Sequence, residues 1–494
     1  MGGLDRSMSN FQYKFQMYKA LQQNIPQIYA NAKKAADEIG IPKEIRGKFG
    51  LTGAISGCPA PLRRDILEAG ERGATEVIPL ATLVDKLREV VKSAYGDQWE
   101  PIPVSTCEAA LWTAYDTLCT PPALGRGDNY RTRYIAPLEK HMHHQGGYGR
   151  PFPAKYKDIF ADRGTTAGEL GFYGKRQNNL DTVMVPLEGA RYENHGIKSW
   201  PVPLLTHVDP EASAARIRRV AQEQVTLLSA IASLGYDTPG YGYAVKDQKG
   251  APLLQKRLGE IARYYNVPYI VDNAWGLPFV GTNPNDIGCD VICYAMDKAT
   301  GAATSGLLIA REDVATNLRR ALGMAGDRYG TTASYGKAAF VTFDPGKEAL
   351  LTQIAALEAL RDKPALYTKP VDDLYDIVVS ELEALPAVLR SRLLVSKSYN
   401  STTVEINYEA TWDGEMLGLP IFSIEDMYAG SNIFQTGCAQ MGIIPTIAYD
   451  GNIFISPGLG TCDYDGNLME KETRWAVRGL VALIDIVARF VGLY

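Results

Sequence analysis

The sequence has 494 residues, of which 46% are hydrophobic and 22% charged, values typical of a globular protein with room for two or three domains. Its net charge of −5 argues against nucleic acid as a partner, because no excess of positive charge is present to bind phosphates. The seven scattered cysteines are an odd number without paired spacing, which argues against a disulfide framework and predicts a reducing, cytoplasmic location.

Apolar residues at helical spacing predict helices over 10–40 and 65–95, so we expect an N-terminal helical segment over 1–95. The N-terminus lacks the apolar core of a signal peptide. No apolar run approaches the roughly 18 residues of a membrane span, so no membrane partner is expected.

Short apolar runs alternate with helical patterns between about residues 100 and 310, which predicts a mostly parallel sheet with helices on both faces. We assign 96–369 to a large α/β domain. Within it, 145–200 is rich in Gly, Asn and Tyr, has weak periodicity and is predicted to be an insertion. The pattern changes after Pro370, so 370–494 is expected to form a smaller α+β domain.

Two charged residues stand at the ends of neighbouring predicted strands. Asp272 ends the run 267–271, and Lys298 follows the run 290–294. Ligands of open α/β sheets bind at such strand ends. An acid and a lysine placed there suit pyridoxal phosphate (PLP): the lysine forms a Schiff base, and the acid keeps the pyridine nitrogen protonated. The alternative is an ordinary surface ion pair.

The residues after Lys298 favour the cofactor interpretation. The segment 299–306 (ATGAATSG) contains only small side chains, which let backbone and hydroxyl groups approach a ligand closely. A solvated surface lysine would not need such a segment. We therefore predict Lys298 and Asp272 as the catalytic residues.

A strand-to-helix turn earlier in the chain is the candidate phosphate site. Ser105, Thr106 and Cys107 lie between a predicted strand and an apolar helix, where backbone N–H groups and two hydroxyls can bind an anion. The same residues, followed by Glu108, also fit a capping box that only stabilises the helix. Both interpretations are compatible with one geometry.

Histidines follow the next predicted strand and could cover one face of a PLP ring. His141 and His144 are the candidates for this stacking, with a plain loop histidine as the alternative. These histidines and the neighbouring His143 have no carboxylate or cysteine nearby to complete a ligand set. No metal site is therefore expected.

Together these residues resemble the fold-type I PLP-dependent enzymes, in particular the group of O-phosphoseryl-tRNA:selenocysteinyl-tRNA synthase, the group II decarboxylases and sphingosine-phosphate lyase. The resemblance rests on Asn-Ala-Trp-Gly after Asp272 and on Asp297-Lys298 before ATGAATSGLLIA. It covers about 255–340 clearly and 100–145 tolerably. It implies the fold-type I transferase fold, with a mostly parallel, seven-stranded sheet and a smaller C-terminal α+β domain. It also implies PLP as cofactor and places Asn273 beneath it.

The same resemblance implies a loop arginine, Arg328, near the phosphate or the substrate. Fold-type I enzymes are generally oligomers, so a homodimer or homotetramer with shared active sites is expected, with 327–337 reaching the partner's cofactor. The expected partner is a small-molecule substrate, an amino acid or an amino-acid derivative.

The expected reaction is that of a lyase, which breaks a C–C or a Cβ–heteroatom bond. The alternative is a transferase, for amino groups or for sulfur or selenium. Phe454 stands where many class V aminotransferases have the arginine that binds the substrate carboxylate. The sequence therefore does not name the group that anchors the substrate.

Overall fold

The structure is a computed structural model, and it describes residues 10–52, 59–119, 133–138, 198–203, 210–235, 243, 245–322, 345–407, 433–445, 447–449 and 452–494. The predicted site residues His141, His144 and Arg328 lie outside these ranges, as does the predicted insertion up to residue 197. The helices α1 to α13 are Asn10–Glu38, Arg64–Thr75, Leu80–Tyr95, Cys107–Cys119, Pro210–Glu223, Leu253–Tyr265, Pro284–Ile287, Glu312–Ala321, Lys347–Asp362, Ala365–Leu382, Ala387–Arg390, Ile433–Gln440 and Glu470–Phe490.

Seven strands form the large sheet, and four more form a second sheet in the C-terminal part of the chain. The strands β1 to β11 are Trp99–Val104, Arg133–Leu138, Lys198–Pro203, Leu228–Leu234, Tyr269–Asp272, Val291–Ala295, Gly306–Arg311, Leu394–Ser398, Thr403–Asn407, Ile447–Tyr449 and Asn452–Ile455.

The large sheet has the strand order β1-β7-β6-β5-β4-β2-β3. The pairs β6–β5, β5–β4, β4–β2 and β2–β3 are parallel, and β7 runs antiparallel to both of its neighbours. Strands β1 and β2 to β6 therefore point the same way, and their C-terminal ends meet at one edge of the sheet. The expected mostly parallel, seven-stranded sheet is confirmed.

Alternating side chains of this sheet enter two separate cores. One face packs against α4 and α8 through a cluster that includes Val104, Ile270 and Cys293. The other face packs against α2, α3, α5, α6 and α9 through the largest cluster, which includes Val271 and Ile292. Strands β4 to β6 are buried along their whole length, which explains their nearly continuous apolar sequences.

The small domain has its own core around the sheet β10-β11-β9-β8. Helices α10, α12 and α13 cover this sheet. The N-terminal helix α1 also packs here, against α12 and α13, and buries Leu21, Ile28 and Ala32. By contrast, α2 and α3 pack against α9 of the large domain. The predicted segment 1–95 thus contributes to both cores.

Prolines stand at two places where the helices differ from the predicted pattern. The helical segment predicted over 65–95 consists of two helices, since α2 ends at Thr75 and α3 begins at Leu80; Pro79 is extended and directly precedes α3. Near residue 370 the opposite holds. Helix α10 begins at Ala365 and continues through a buried Pro370, so the helix spans the predicted domain boundary. Among the described residues, no helix is both long and apolar enough to cross a membrane.

Candidate active site at the carboxyl edge of the large sheet

Asp272 is the last residue of β5 and lies almost fully buried, with 3% of its surface exposed. It pairs with Leu234 of β4 on one side and Cys293 of β6 on the other. Its Oδ1 accepts a hydrogen bond from the Ala274 N–H at 3.1 Å. A carboxylate withdrawn from water at the centre of the sheet edge is costly to bury, so its position indicates a use for its charge.

Lys298 lies in the turn that follows β6, three residues beyond Ala295, and is half-buried. The turn is closed by its own backbone, since Met296 N–H donates to Ser305 O at 2.9 Å and Ala302 N–H donates to Met296 O at 2.8 Å. These bonds fix the backbone that carries the lysine. The small side chains of 299–306 therefore also let this turn close tightly on itself.

The Trp275 ring lies beside the lysine and is itself supported by Phe454 of the small domain. The Lys298 Nζ lies 5.5 Å from the centroid of the Trp275 ring, within the range of a cation–π interaction. The Trp275 ring packs in turn against Phe454 of β11, with centroids 5.7 Å apart. Phe454, which stands where many class V aminotransferases have an arginine, therefore supports the Trp275 ring beside Lys298.

The turn 105–107 caps α4 and lies against the strand that follows the lysine turn. Thr106 Oγ1 accepts the Ala109 N–H at 3.0 Å, so the helix cap is present. Gly306 begins β7, and a Cβ there would stand 2.1 Å from Thr106 O and 2.7 Å from Cys107 N. Only glycine lets the strand approach the turn this closely. The backbone N–H groups of the first turn of α4 lie at the same sheet edge as Asp272.

Electrostatic effects on Cys107 indicate that the predicted features lie close to one another. Burial raises the pKa of the Cys107 thiol well above its usual range, and the negative charge of Asp272 raises it further. The positive charge of Lys298 acts on the same thiol in the opposite direction. Asp272 and Lys298 are therefore both close enough to the turn 105–107 to influence one group in it. A thiol with a raised pKa is a poor nucleophile.

Asn273 occupies a different environment from the one expected. Its amide forms a reciprocal pair with Asn400 of the small domain, with hydrogen bonds of 3.1 and 3.0 Å. Asn400 also donates to Gly235 O at 2.9 Å and accepts the Thr282 N–H at 3.1 Å. This buried network joins the two domains directly beside Asp272. The predicted contact of Asn273 with a cofactor stays a prediction.

A cavity of about 340 Å³ opens on Lys298 between the two domains. Its walls come from the lysine turn, the segment before α2, the start of α10 and the loop after β11. Thr402 in its wall has a φ of +50°, a strained conformation for a β-branched residue and one that concentrates at functional sites. Arg63 also lines the cavity and is a residue that sequence reasoning missed.

Comparisons with known proteins identify the fold. No model of a protein family matches the sequence, and no curated protein does. A crystal structure of the SepCysS–SepCysE N-terminal domain complex matches with a TM-score of 0.51 at 10% identity, covering 90% of this chain and 97% of that one. The expected fold-type I PLP-dependent transferase fold is confirmed by this match.

Two further structures match with lower scores. Ureidoglycine–glyoxylate aminotransferase from Bacillus subtilis has a TM-score of 0.49 at 12% identity, covering 86% of this chain and 93% of that one. D-Glucosaminate-6-phosphate ammonia-lyase has a TM-score of 0.45 at 15% identity, covering 91% and 100%.

Proposed function

We propose that this chain is a PLP-dependent enzyme that acts on an amino acid or an amino-acid derivative through Lys298. The observation that carries the proposal is the convergence of a buried acid, a half-buried lysine and a helix N-terminus at one sheet edge. The fold supports the proposal, because the same architecture was expected from the motif around Asp272 and Lys298.

The residues at this edge fit the chemical groups of PLP. The first turn of α4, with the hydroxyls of Ser105 and Thr106, suits the phosphate. The buried Asp272 carboxylate suits a protonated ring nitrogen, since each charge offsets the cost of burying the other. Lys298 provides the primary amine that would hold the aldehyde carbon. We further propose that His141, His144 and Arg328 complete the site.

When bound, PLP supplies an electron sink for charge that develops at the substrate Cα. The chain's own residues then have separate tasks. The Asp272 carboxylate binds and orients the ring. The Nζ of Lys298 moves a proton at Cα or Cβ of the substrate. The Trp275 ring, supported from behind by Phe454, excludes water from one side of that amine.

For the reaction we propose a lyase that breaks a C–C or Cβ–heteroatom bond. Phe454 supports this choice, because β11 brings an aromatic side chain instead of a carboxylate-binding arginine to the position used by many class V aminotransferases. The alternative is an amino-group or sulfur/selenium transferase. We propose a homodimer or homotetramer as the working form.

The first test is the absorbance spectrum of the purified protein before and after addition of PLP. Wild type should show the visible band of PLP bound to a lysine, and Lys298→Ala should not. Lys249→Ala is the matched control. It removes an exposed lysine from a different turn of the chain and should keep the band. A wild-type protein that gains no band with added PLP would refute the proposal.

The second test identifies the reaction. Each of a panel of amino acids is incubated with the PLP-loaded enzyme without any keto acid. Turnover that releases carbon dioxide, ammonia or a Cβ leaving group supports the lyase. Turnover that requires a keto-acid acceptor would establish an aminotransferase instead, and strict dependence on a charged tRNA would establish the transfer of sulfur or selenium.

A further inference from the structure

The cavity beside Lys298 carries net positive charge among the described residues that line it. Its cations are Lys298 and Arg63, and its acid is Asp463. The Asp463 carboxylate is engaged by its own turn, where Oδ1 accepts the N–H groups of Asp465 and Asn467, both at 2.9 Å. These bonds help to lower the pKa of Asp463, chiefly through the Asn467 N–H. The cavity therefore suits a ligand with negative charge.

Arg63 is held rigidly at the cavity wall, with 11% of its side chain exposed. Its Nε and Nη2 donate hydrogen bonds to the two carboxylate oxygens of Asp65, at 2.7 and 2.9 Å. Its guanidinium also lies 4.8 Å above the centre of the Tyr367 ring. Burial lowers the pKa of Arg63, but the hydrogen bond to Asp65 and further contacts raise it overall, so the group stays charged.

These contacts leave one end of the guanidinium available. Within the described part of the chain, Nη1 of Arg63 makes no hydrogen bond, and it is not among the enclosed polar atoms that lack a partner. Its two N–H groups are therefore accessible from the cavity or the adjoining solvent. A guanidinium already fixed by a carboxylate fork and an aromatic ring loses little freedom when it binds a ligand.

A short chain of contacts connects Arg63 to the lysine turn. Arg63 Nη2 donates to the Tyr367 hydroxyl at 3.2 Å, and that hydroxyl donates to Thr300 O at 3.2 Å. Thr300 is only two residues from Lys298, in the turn that its own hydrogen bonds close. These hydrogen bonds hold the Arg63 guanidinium, with its unbonded Nη1, in a defined position relative to the turn that carries Lys298.

We propose that Arg63 binds the carboxylate of the substrate whose amino group reacts at Lys298. This inference rests on the proposed function. It makes the substrate a small amino carboxylate that fits a cavity of about 340 Å³, and it makes Arg63 a specificity-determining residue. Charge-assisted hydrogen bonds from Nη1 supply the recognition, and Asp65 and Tyr367 keep the guanidinium in place.

The competing explanation is a structural one, in which Arg63 only ties the segment before α2 to the loop after β11. The neighbouring residue separates the two explanations. Arg64 makes such a tie itself, through its N–H to Tyr464 O at 2.7 Å and its Nε to Asp465 at 2.9 Å. Its side chain is 61% exposed and does not line the cavity. Arg64→Gln is therefore the matched control for Arg63→Gln.

The test compares an acid with its neutral amide on the full-length, PLP-loaded protein. L-Alanine and L-alaninamide share the reactive amine and differ at the carboxylate, and the spectral change on binding gives each Kd. Arg63→Gln should raise the Kd of alanine about 10- to 100-fold and that of alaninamide by less than about threefold. Arg64→Gln should leave both within about twofold of wild type. Arg63→Lys should restore part of the affinity for alanine.

Equal losses for the acid and the amide in Arg63→Gln would overturn the proposal, as would equal effects of the two arginine variants. A wild type that does not prefer alanine to alaninamide would overturn it too. A second measurement stands apart from PLP chemistry. Succinate, but not succinamide, should raise the melting temperature of wild type at constant ionic strength, and Arg63→Gln should abolish the effect. If the protein binds no PLP, the proposed function fails, and this measurement alone decides whether Arg63 binds carboxylates.

Discussion

Gly306 provides the most direct test of the phosphate site, because replacing it by alanine moves the turn that precedes α4. The added Cβ would stand 2.1 Å from Thr106 O and 2.4 Å from its carbonyl carbon, whereas ordinary contact begins at 3.4 Å. The turn or the strand must therefore move apart by about 1.3 Å, the difference between these distances. Both obstacles are backbone atoms, so no side chain can rotate away to relieve the overlap.

The expected result of Gly306→Ala has two parts. Overpacking at a site of this kind costs about 1–3 kcal/mol of unfolding free energy. Displacing the N–H groups of α4 by about 1 Å should also raise the Kd for PLP at least about tenfold, because binding groups lose their effect over such distances. Urea denaturation measures the first quantity. Titration with PLP, followed by absorbance, measures the second.

Gly346→Ala is the control for this experiment. A Cβ at Gly346 would meet only the end of the flexible Glu348 side chain, at 3.2 Å. The control should bind PLP like wild type and lose little stability. If Gly306→Ala lost stability and yet bound PLP with unchanged affinity, the phosphate would not lie at the turn 105–107, and the assignment of Ser105, Thr106 and Cys107 would be refuted.

Two further predictions concern stability. The Glu100 side chain is buried, with 6% of its surface exposed, and its carboxylate is bonded to Lys92 of α3 and Arg319 of α8. Burial raises the pKa of Glu100, but the bonds from these two cations outweigh burial, so the pKa is lowered overall. Glu100→Gln should therefore cost about 1.5–3 kcal/mol at neutral pH, and the difference from wild type should shrink as the pH falls through the lowered pKa. Asn400→Ala should cost about 1–3 kcal/mol, because it leaves the buried Asn273 amide without its partner.

Both predictions are checked by urea denaturation, the first over a series of pH values. A Glu100→Gln deficit that grows rather than shrinks as the pH falls would contradict the ionic explanation, because protonation of the wild-type carboxylate removes the ion pairs that the variant lacks. An Asn400→Ala protein as stable as wild type would show that the amide pair contributes nothing to joining the domains.

The sequence pointed to those parts of the candidate site that depend on local patterns. Asp272 and Lys298 were identifiable because each follows a short apolar run, and runs of this kind form buried parallel strands whose ends share one edge. The turn 105–107 was identifiable for a similar reason, since small polar residues stood between a strand and a helix. These residues come together because strand direction alone brings them to the same place.

The close approach of Gly306 to Thr106 and the environment of Asn273 depend on contacts that no local pattern encodes. Gly306 lies opposite the 105–107 turn only because β7 runs antiparallel between β1 and β6. Asn400 reaches Asn273 across 127 residues of sequence, from the turn between β8 and β9. A polar residue in such a turn is ordinary in sequence, so its partner could be found only when the domains were placed together.

Arg63 shows why the substrate side of the site stayed hidden. It follows a proline-rich stretch just before α2, in a segment with no catalytic motif, and its partner Tyr367 is 304 residues away. An arginine two residues before an aspartate suggests an exposed ion pair of little consequence. Placed against Tyr367 and the turn that carries Lys298, the same pair becomes a fixed guanidinium with one free edge. Sequence patterns located the part of the site that would hold the cofactor, whereas the residue proposed to choose the substrate emerged only from packing between the domains.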